Sequence, residues 1–442
     1  MLIKDNDGNL LDKKRVTISE RKESDVTDNQ NIYVDISLTE FTTTIVLDES
    51  NKIEEISNLI IPPDDCFTVS DGGITEYDPN NSDSCPKELI IPNEINGEAI
   101  TKISCGYDMF SGTCSYAAFT NKNLKKIIIS EGITELDNHT FASNQLTNIT
   151  IPNTITTIGI GVFENNKLAS VTIPSGVTTI GYGMFNNNML TSITIPDNIT
   201  DIGSNAFSNN RLTNVIIPDS VKDIGMEAFA NNRLTNITIS KSITIINDGA
   251  FRNNKLVSVI IPDSVTYIGM NVFRNNQLTS ITIPESVTSI GGGAFADNQL
   301  TSITMPISLT GISATSFSNN KLPDDQAFIY KRNSDGSMDK TTILGYGGAN
   351  KNPVIPSNVT TISVCAFEGN QLTGVTIPSS VTSIDAYAFR YNNLKSVIIK
   401  GKTKSSEFTK YNSPNWGWAD DVTCVKNNTE NVENGCITWG AE

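Results

Sequence analysis

Few residues in this 442-residue chain are equipped for chemistry, and those few do not converge. There is one histidine, His139, in a variable slot two residues before Phe141. Nucleophilic catalysis needs a base beside the nucleophile and a partner orienting that base. A single imidazole in a variable slot reads instead as a solvated turn residue. Cys365 fills the matching slot before Phe367, where the same text elsewhere carries Gly161, Gly183 and Gly293. It reads as a small, buried, free thiol. Two carboxylates at a set separation can hydrolyse a glycosidic bond. The 48 acidic residues offer many pairs, but none breaks the surrounding pattern in a way that marks a pocket. Asp5, Asp7 and Asp12 suggest calcium, yet Gly8 stands at the fourth place rather than the sixth that a calcium loop requires, so "NDGN" reads as a hairpin turn. No catalysis, metal or cofactor is expected.

The other six cysteines fall into close pairs: Cys66 with Cys85, Cys105 with Cys114, and Cys424 with Cys436. Free thiols or a metal site are the alternatives to disulfides. No C-x-x-C spacing is present, which weighs against zinc. Disulfides imply an oxidising, extracellular setting.

The formal net charge of −16 argues against nucleic acid and against anionic lipid. No apolar run approaches the length of a membrane span. The opening "MLIKDNDGNLLDKKR" lacks the apolar core of a signal peptide, as a mature or cropped secreted chain also would. Hydrophobic residues make up only 38%, low for a compact globule but workable for stacked thin coils with much of each facing water.

Such coils are written out in the sequence. Phe119, Phe141, Phe163, Phe185, Phe207, Phe229, Phe251, Phe273, Phe295 and Phe317 are each 22 residues apart; a gap of 50 leads to Phe367, and 22 more to Phe389. The text is L-T-S-I-T-I-P-x-S-V-T-x-I-G-x-x-A-F-x-N-N-x. L-x-x-I-x-I, as in Leu278, Ile281 and Ile283, alternates like a short strand. The following proline, as at Pro262 and Pro284, ends it by removing a donor. V-T-x-I turns two more apolar residues inward on a second side, and G-x-x-A-F predicts one helical or 3-10 turn with Phe inward. A lone coil buries too little apolar surface to offset the ordering of its backbone, so stacking must supply core and hydrogen bonds. One polar residue hardly varies: Asn stands two before the leading Leu in eleven of twelve coils, from Asn144 to Asn392. Asn tolerates a left-handed turn and bonds nearby backbone, so a stacked amide ladder is expected there, in preference to a ligand contact.

"LTSITIPESVTSIGGGAF", residues 278–295, resembles the BspA-like class of leucine-rich repeats known from bacterial and some protist surface proteins. The likeness runs over roughly residues 86–400. It implies an α/β, predominantly β fold: a curved right-handed solenoid of 22-residue coils with a parallel sheet on one face. It also implies adhesion or partner binding at a cell surface, and it offers no catalytic motif. Ser130, Ser240 and Lys400 depart from it by replacing the proline.

The expected organisation is a β-rich segment at 1–60, an N-terminal cap with irregular first coils at 61–118, the solenoid at 119–400 with a hairpin insertion at 323–352, and a disulfide-stapled cap at 401–442. That last cap holds Trp416, Trp418 and Trp439, which pack it or offer sugars an aromatic platform. Exposed strand positions are the expected contact surface: Thr279, Ser280 and Thr282 in one coil, Thr301, Ser302 and Thr304 in the next. Lys167, Arg211, Arg233 and Lys255 form a basic rim before the leading Leu; Asp197, Asp219, Asp263 and Glu285 form an acidic rim after the proline, roughly 25 Å away along the strand. Arg211, Arg233 and Lys255 are read as one binding element. The expected function is recognition of a surface protein or glycan, the alternative a structural surface or pilus-associated component. Oligomeric state has no sequence signature here.

If all six paired cysteines are bridged and Cys365 is free, the intact non-reduced chain should weigh about six hydrogens less than the reduced one. Seven titratable thiols in protein taken from its native compartment would contradict the pairing.

Overall fold

The computed structural model describes residues 59–79, 85–107 and 114–400, and the strand backbones at 2–4, 10–13, 33–38, 41–47, 53–57 and 424–426. The chain divides into two compact units, Met1–Ile61 and Pro62–Glu442. In the first, Leu2–Lys4 pairs antiparallel with Leu10–Lys13, and Tyr33–Leu38, Phe41–Leu47 and Ile53–Ser57 form an antiparallel sheet.

The second unit opens with a short 3-10 turn, Asp64–Cys66, and an antiparallel pair, Phe67–Ser70 with Gly73–Tyr77. Cys66 and Cys85 are joined by a disulfide across a Cα separation of 5.7 Å. The side chains of Cys105, Cys114, Cys424 and Cys436, and residues 416–418 and 439 with their tryptophans, lie outside the described residues. Gly73–Tyr77 then runs parallel to Lys102–Ile103, which starts a stack through Glu135–Leu136 and Thr157–Ile158.

The repeat builds two columns of parallel strands. Where the L-x-x-I-x-I segments form strands they pair in register one coil apart, for example Ile127 with Ile149, Val215 with Ile237 and Ile281 with Ile303, while residues 168–173, 190–195 and 256–261 follow the same path without strand pairing. The V-T-x-I segments form a second column of two-residue strands, as in Ile180, Ile202 and Ile224. Most inward residues of both columns are buried, with Ile158, Ile193, Ile303 and Ile312 half-buried. The Phe rings stack from Phe119 to Phe317 with centroids 5.3 to 5.8 Å apart. Tyr77 caps this column by stacking on Phe119 at 5.2 Å.

G-x-x-A-F forms no helix. It is two successive turns with bonds of the 3-10 type, in which Ala206 N–H donates to Gly203 O at 3.2 Å and Ser208 N–H to Asn205 O at 3.1 Å. The residue two before Phe has a left-handed φ in ten coils, from +54° at Glu227 to +67° at Gly293. A left-handed residue stops helix propagation, which is why the turn does not extend.

The expected placement of the left-handed backbone at the near-invariant Asn is also corrected. The residue just before it is the left-handed one, as at Asn165, Asn187, Asn209, Asn231, Asn253 and Asn275. These form side-chain ladders in two runs: Asn187 Nδ2 donates to Asn165 Oδ1 at 2.7 Å, and further on Asn253 Nδ2 donates to Asn231 Oδ1 at 2.6 Å and Asn275 Nδ2 to Asn253 Oδ1 at 3.0 Å, while Asn209 Nδ2 turns to Asn186 Oδ1. The near-invariant Asn is buried and bonds backbone only. Asn232 Nδ2 donates to Phe207 O of the preceding coil (2.9 Å) and to Phe229 O of its own (3.2 Å), while its Oδ1 accepts from Leu212 N–H (3.0 Å). The same set recurs at Asn166, Asn188, Asn210, Asn254, Asn276 and Asn298.

At the insertion, Phe328–Arg332 pairs antiparallel with Met338–Tyr346, whose Ile343 then pairs parallel with Ile362 of the next coil. Tyr346 stacks on Phe367 at 5.2 Å, taking over the aromatic column. The buried core divides here, with Leu322 and Ile329 in one cluster and Ile343 and Tyr346 in the other.

Adjacent asparagines therefore have different jobs. Asn232→Ala leaves the buried Leu212 N–H without its acceptor and takes one of two donors from Phe207 O and Phe229 O, which keep Asn210 and Asn254, and should cost about 2 kcal/mol in chemical denaturation. Asn231→Gly keeps the left-handed turn and should change stability by less than about 1 kcal/mol.

Candidate binding face

The outward residues of the first strand column make a regular polar field. Thr279, Ser280, Thr282, Thr301, Ser302 and Thr304 are all exposed, with Ser280 opposite Ser302 and Thr282 opposite Thr304. Not every hydroxyl is available. Thr301 Oγ1 donates to Thr279 O at 3.2 Å, as Thr235 Oγ1 does to Thr213 O, so the leading Thr partly serves the stack. Among the described residues, the hydroxyls of Ser280, Thr282, Ser302 and Thr304 make no hydrogen bond within the chain.

Arg211, Arg233 and Lys255 stand in three consecutive coils. Their N–H groups donate to Leu190 O, Leu212 O and Leu234 O, which holds their backbones at the spacing of stacked strands. All three are exposed, and none takes part in an ion pair among the described residues. Lys167 differs, since its Nζ lies 3.1 Å from Gln145 Oε1. The opposite row, Asp197, Asp219, Asp263 and Glu285, is exposed too, but Lys241 interrupts it. Lys241 N–H donates to Asp219 Oδ1 at 2.9 Å. In that coil Ser240 replaces the proline, and its buried hydroxyl donates to Val221 O at 2.6 Å.

Three aliphatic side chains escaped the sequence reading of this face. Ile216 is 63% exposed, Val257 48% and Ile260 86%. Ile216 and Ile260 occupy the slot of Thr282, and Val257 that of Thr279. The signal was present: they are the departures from the hydroxyl template within the coils that carry Arg211 and Lys255. The middle of the face thus carries apolar surface between the row of cations and the acidic row, with Val257 two residues from Lys255 and Ile216 and Ile260 three residues before Asp219 and Asp263.

The residues considered for chemistry stay apart. His139 is exposed, left-handed at φ +57°, with its Nδ1 4.0 Å from Glu164 Oε2. Cys365 is free and lies nine coils further on, with φ +58°. It is half-buried rather than buried, because the left-handed slot turns its side chain toward the edge of the core. Burial, reinforced by the neighbouring Glu368 carboxylate and opposed by Arg390, pushes its thiol up to about 12. No cluster of three or more metal-ligating side chains occurs among the described residues, and no helix there is long and apolar enough to cross a membrane.

A family model for the BspA type leucine rich repeat region matches residues 112–234, 200–323 and 346–416. Among solved structures, a leucine rich cell surface protein from Faecalibacterium prausnitzii is 24% identical, over 77% of this chain and 94% of that one, with a TM-score of 0.46. The pneumococcal vaccine antigen PcpA is 17% identical, over 84% and 82%, with a TM-score of 0.43. A leucine-rich repeat protein from Bacteroides ovatus is 19% identical, over 92% and 100%, at 0.39. No curated protein matches.

A raised thiol pKa keeps Cys365 protonated, and the thiolate is the reactive form. Alkylation of Cys365 by iodoacetamide at pH 8, followed by mass spectrometry, should be at least about a hundredfold slower in the native chain than in urea. The native rate should keep climbing with pH beyond 9 without a plateau.

Proposed function

The chain belongs to the BspA-type leucine-rich repeat family, and on that footing we propose that it recognises a partner at a cell surface through the exposed strand face of its repeats. The array at 119–400 carries the face, with 61–118 and 401–442 as its caps. The partner is a surface protein or glycan with negative charge. The observation that carries this reading is the unpaired row Arg211, Arg233 and Lys255 in a chain of net charge −16. Solubility alone is already served by the acidic excess. Three cations held in register, none of them in an ion pair among the described residues, are arranged for a ligand's charge. Ile216, Val257 and Ile260 add exposed apolar surface to the same face, which raises affinity without setting register. The free hydroxyls of Ser280, Thr282, Ser302 and Thr304 extend the contact along the stack. The matched family is a repeat region with no catalytic signature, which supports binding rather than turnover.

Arrays of glycans and matrix proteins probed with the purified chain should give binders whose affinity falls as salt shortens the Debye length below ~10 Å. The triple change Arg211→Glu, Arg233→Glu and Lys255→Glu should weaken that binding at least about tenfold with an unchanged melting temperature. Undiminished binding by the triple variant would reduce the face to scaffold, as in a structural surface component.

A further inference from the structure

The regular face ends where the hairpin enters. Ser302–Thr304 is the last strand of its sheet, and Phe328–Arg332 is the outer strand of the sheet that follows. No strand pairing joins the two among the described residues. Between them lies a cavity of about 290 Å³. Ile303, Met305, Phe328 and Met338 form its apolar walls. Met338 is 54% exposed, and Ile303, Met305 and Phe328 are half-buried, so the walls are open to solvent.

Two observations indicate what fits. The first is a hydrogen bond: Ile303 N–H donates to the side-chain Oε1 of Gln326 at 3.3 Å. A side-chain oxygen stands where the carbonyl of a neighbouring strand would stand. Open strand edges recruit further strands, and a single side chain is a weak block against that. The second is charge. Arg332 and Lys340 line the cavity together with Asp325, and no ion pair among the described residues involves any of the three. Arg332 is held in place by its Nη1 donating to Gly336 O at 3.1 Å.

We propose that an extended segment of a partner protein adds as a strand along this gap, displacing the Gln326 side chain, with one apolar side chain in the cavity and an acidic residue against Arg332 and Lys340. Main-chain hydrogen bonds supply affinity, and the cavity with its two cations supplies sequence preference. Asp325 disfavours a second acid at its position.

The experiment is panning of a random linear-peptide library on the whole chain, followed by affinity measurement on variants. Enriched peptides should carry an apolar residue with an acidic neighbour. Their affinity should fall about tenfold on Met305→Trp, which fills the cavity, and comparably on Lys340→Glu, an exposed change that spares the fold. It should rise about threefold on Gln326→Ala, which frees Ile303 N–H, a gain that a purely structural role for Gln326 would not produce. The proposal is overturned if no peptide is enriched, or if enriched peptides bind the Met305→Trp and Lys340→Glu chains as well as the parent. It is also overturned if the enriched peptides lose binding only to the Arg211/Arg233/Lys255 charge-reversed chain, which assigns them to the strand face instead.

Discussion

Everything in the array depends on one buried carboxamide per coil. At the turn after each Phe the backbone leaves the interior with carbonyls and an N–H that no strand ladder reaches. A buried polar group without a partner costs more than a hydrogen bond returns. Asn232 serves carbonyls in its own coil and the one before, and accepts from Leu212 N–H. Its geometry needs an acceptor and two donors on one short planar group, which Asp and Leu lack and Gln places one methylene too far out. This bond set links each coil to its neighbour. It therefore explains both the fixed 22-residue period and the dependence of every coil on the one beside it.

The same dependence accounts for the irregular parts. A terminal coil has no neighbour, so something else must close the aromatic column and the second strand column. The Cys66–Cys85 segment does both, through Tyr77 on Phe119 and through Gly73–Tyr77 pairing with Lys102–Ile103. The hairpin does the same inside the array. Tyr346 and Ile343 take the places of Phe and Ile, and Asn370 Oδ1 accepts from Asn319 N–H in place of the usual Leu N–H. What reads in the sequence as an interruption is, in the second column, a substitute coil.

The period, the inward residues and the outward hydroxyls were legible because twelve copies of one pattern leave little freedom in what faces where. The two Asn residues were not separable that way. They are adjacent and recur together, so repetition is equally consistent with either being left-handed; the backbone φ and hydrogen bonds of Asn231 and Asn232 tell them apart. The V-T-x-I strands are two residues long, too short for alternation to show. At G-x-x-A-F the helical or 3-10 turn expected is held to single turns with i to i−3 bonds, for a related reason: Gly161, Gly183 and Gly293 looked merely small, although they mark the left-handed slot that His139, Glu227 and Cys365 also occupy. On the face, a template draws attention from its exceptions, so Ile216, Val257 and Ile260 stand out through their exposure although each departs from the hydroxyl pattern in the sequence. The hairpin cavity had no sequence signal, since its walls come from separate strands.

Coils that hold only their neighbours also set how the array answers to force. A surface-attached chain pulled by its partner would yield from an end, one coil at a time, and each detached coil would release roughly 75 Å of extended chain. The load would then be shed in small repeated steps instead of one rupture, and each coil could close again as tension fell. Where the core divides at the hairpin, a peeling front would meet a seam, with Phe317 and Phe367 on opposite sides of it. At the other end, the covalent bond between Cys66 and Cys85 makes the first segment an anchor that cannot unravel fully. An array built this way would give under load coil by coil, in contrast to a globule that opens all at once.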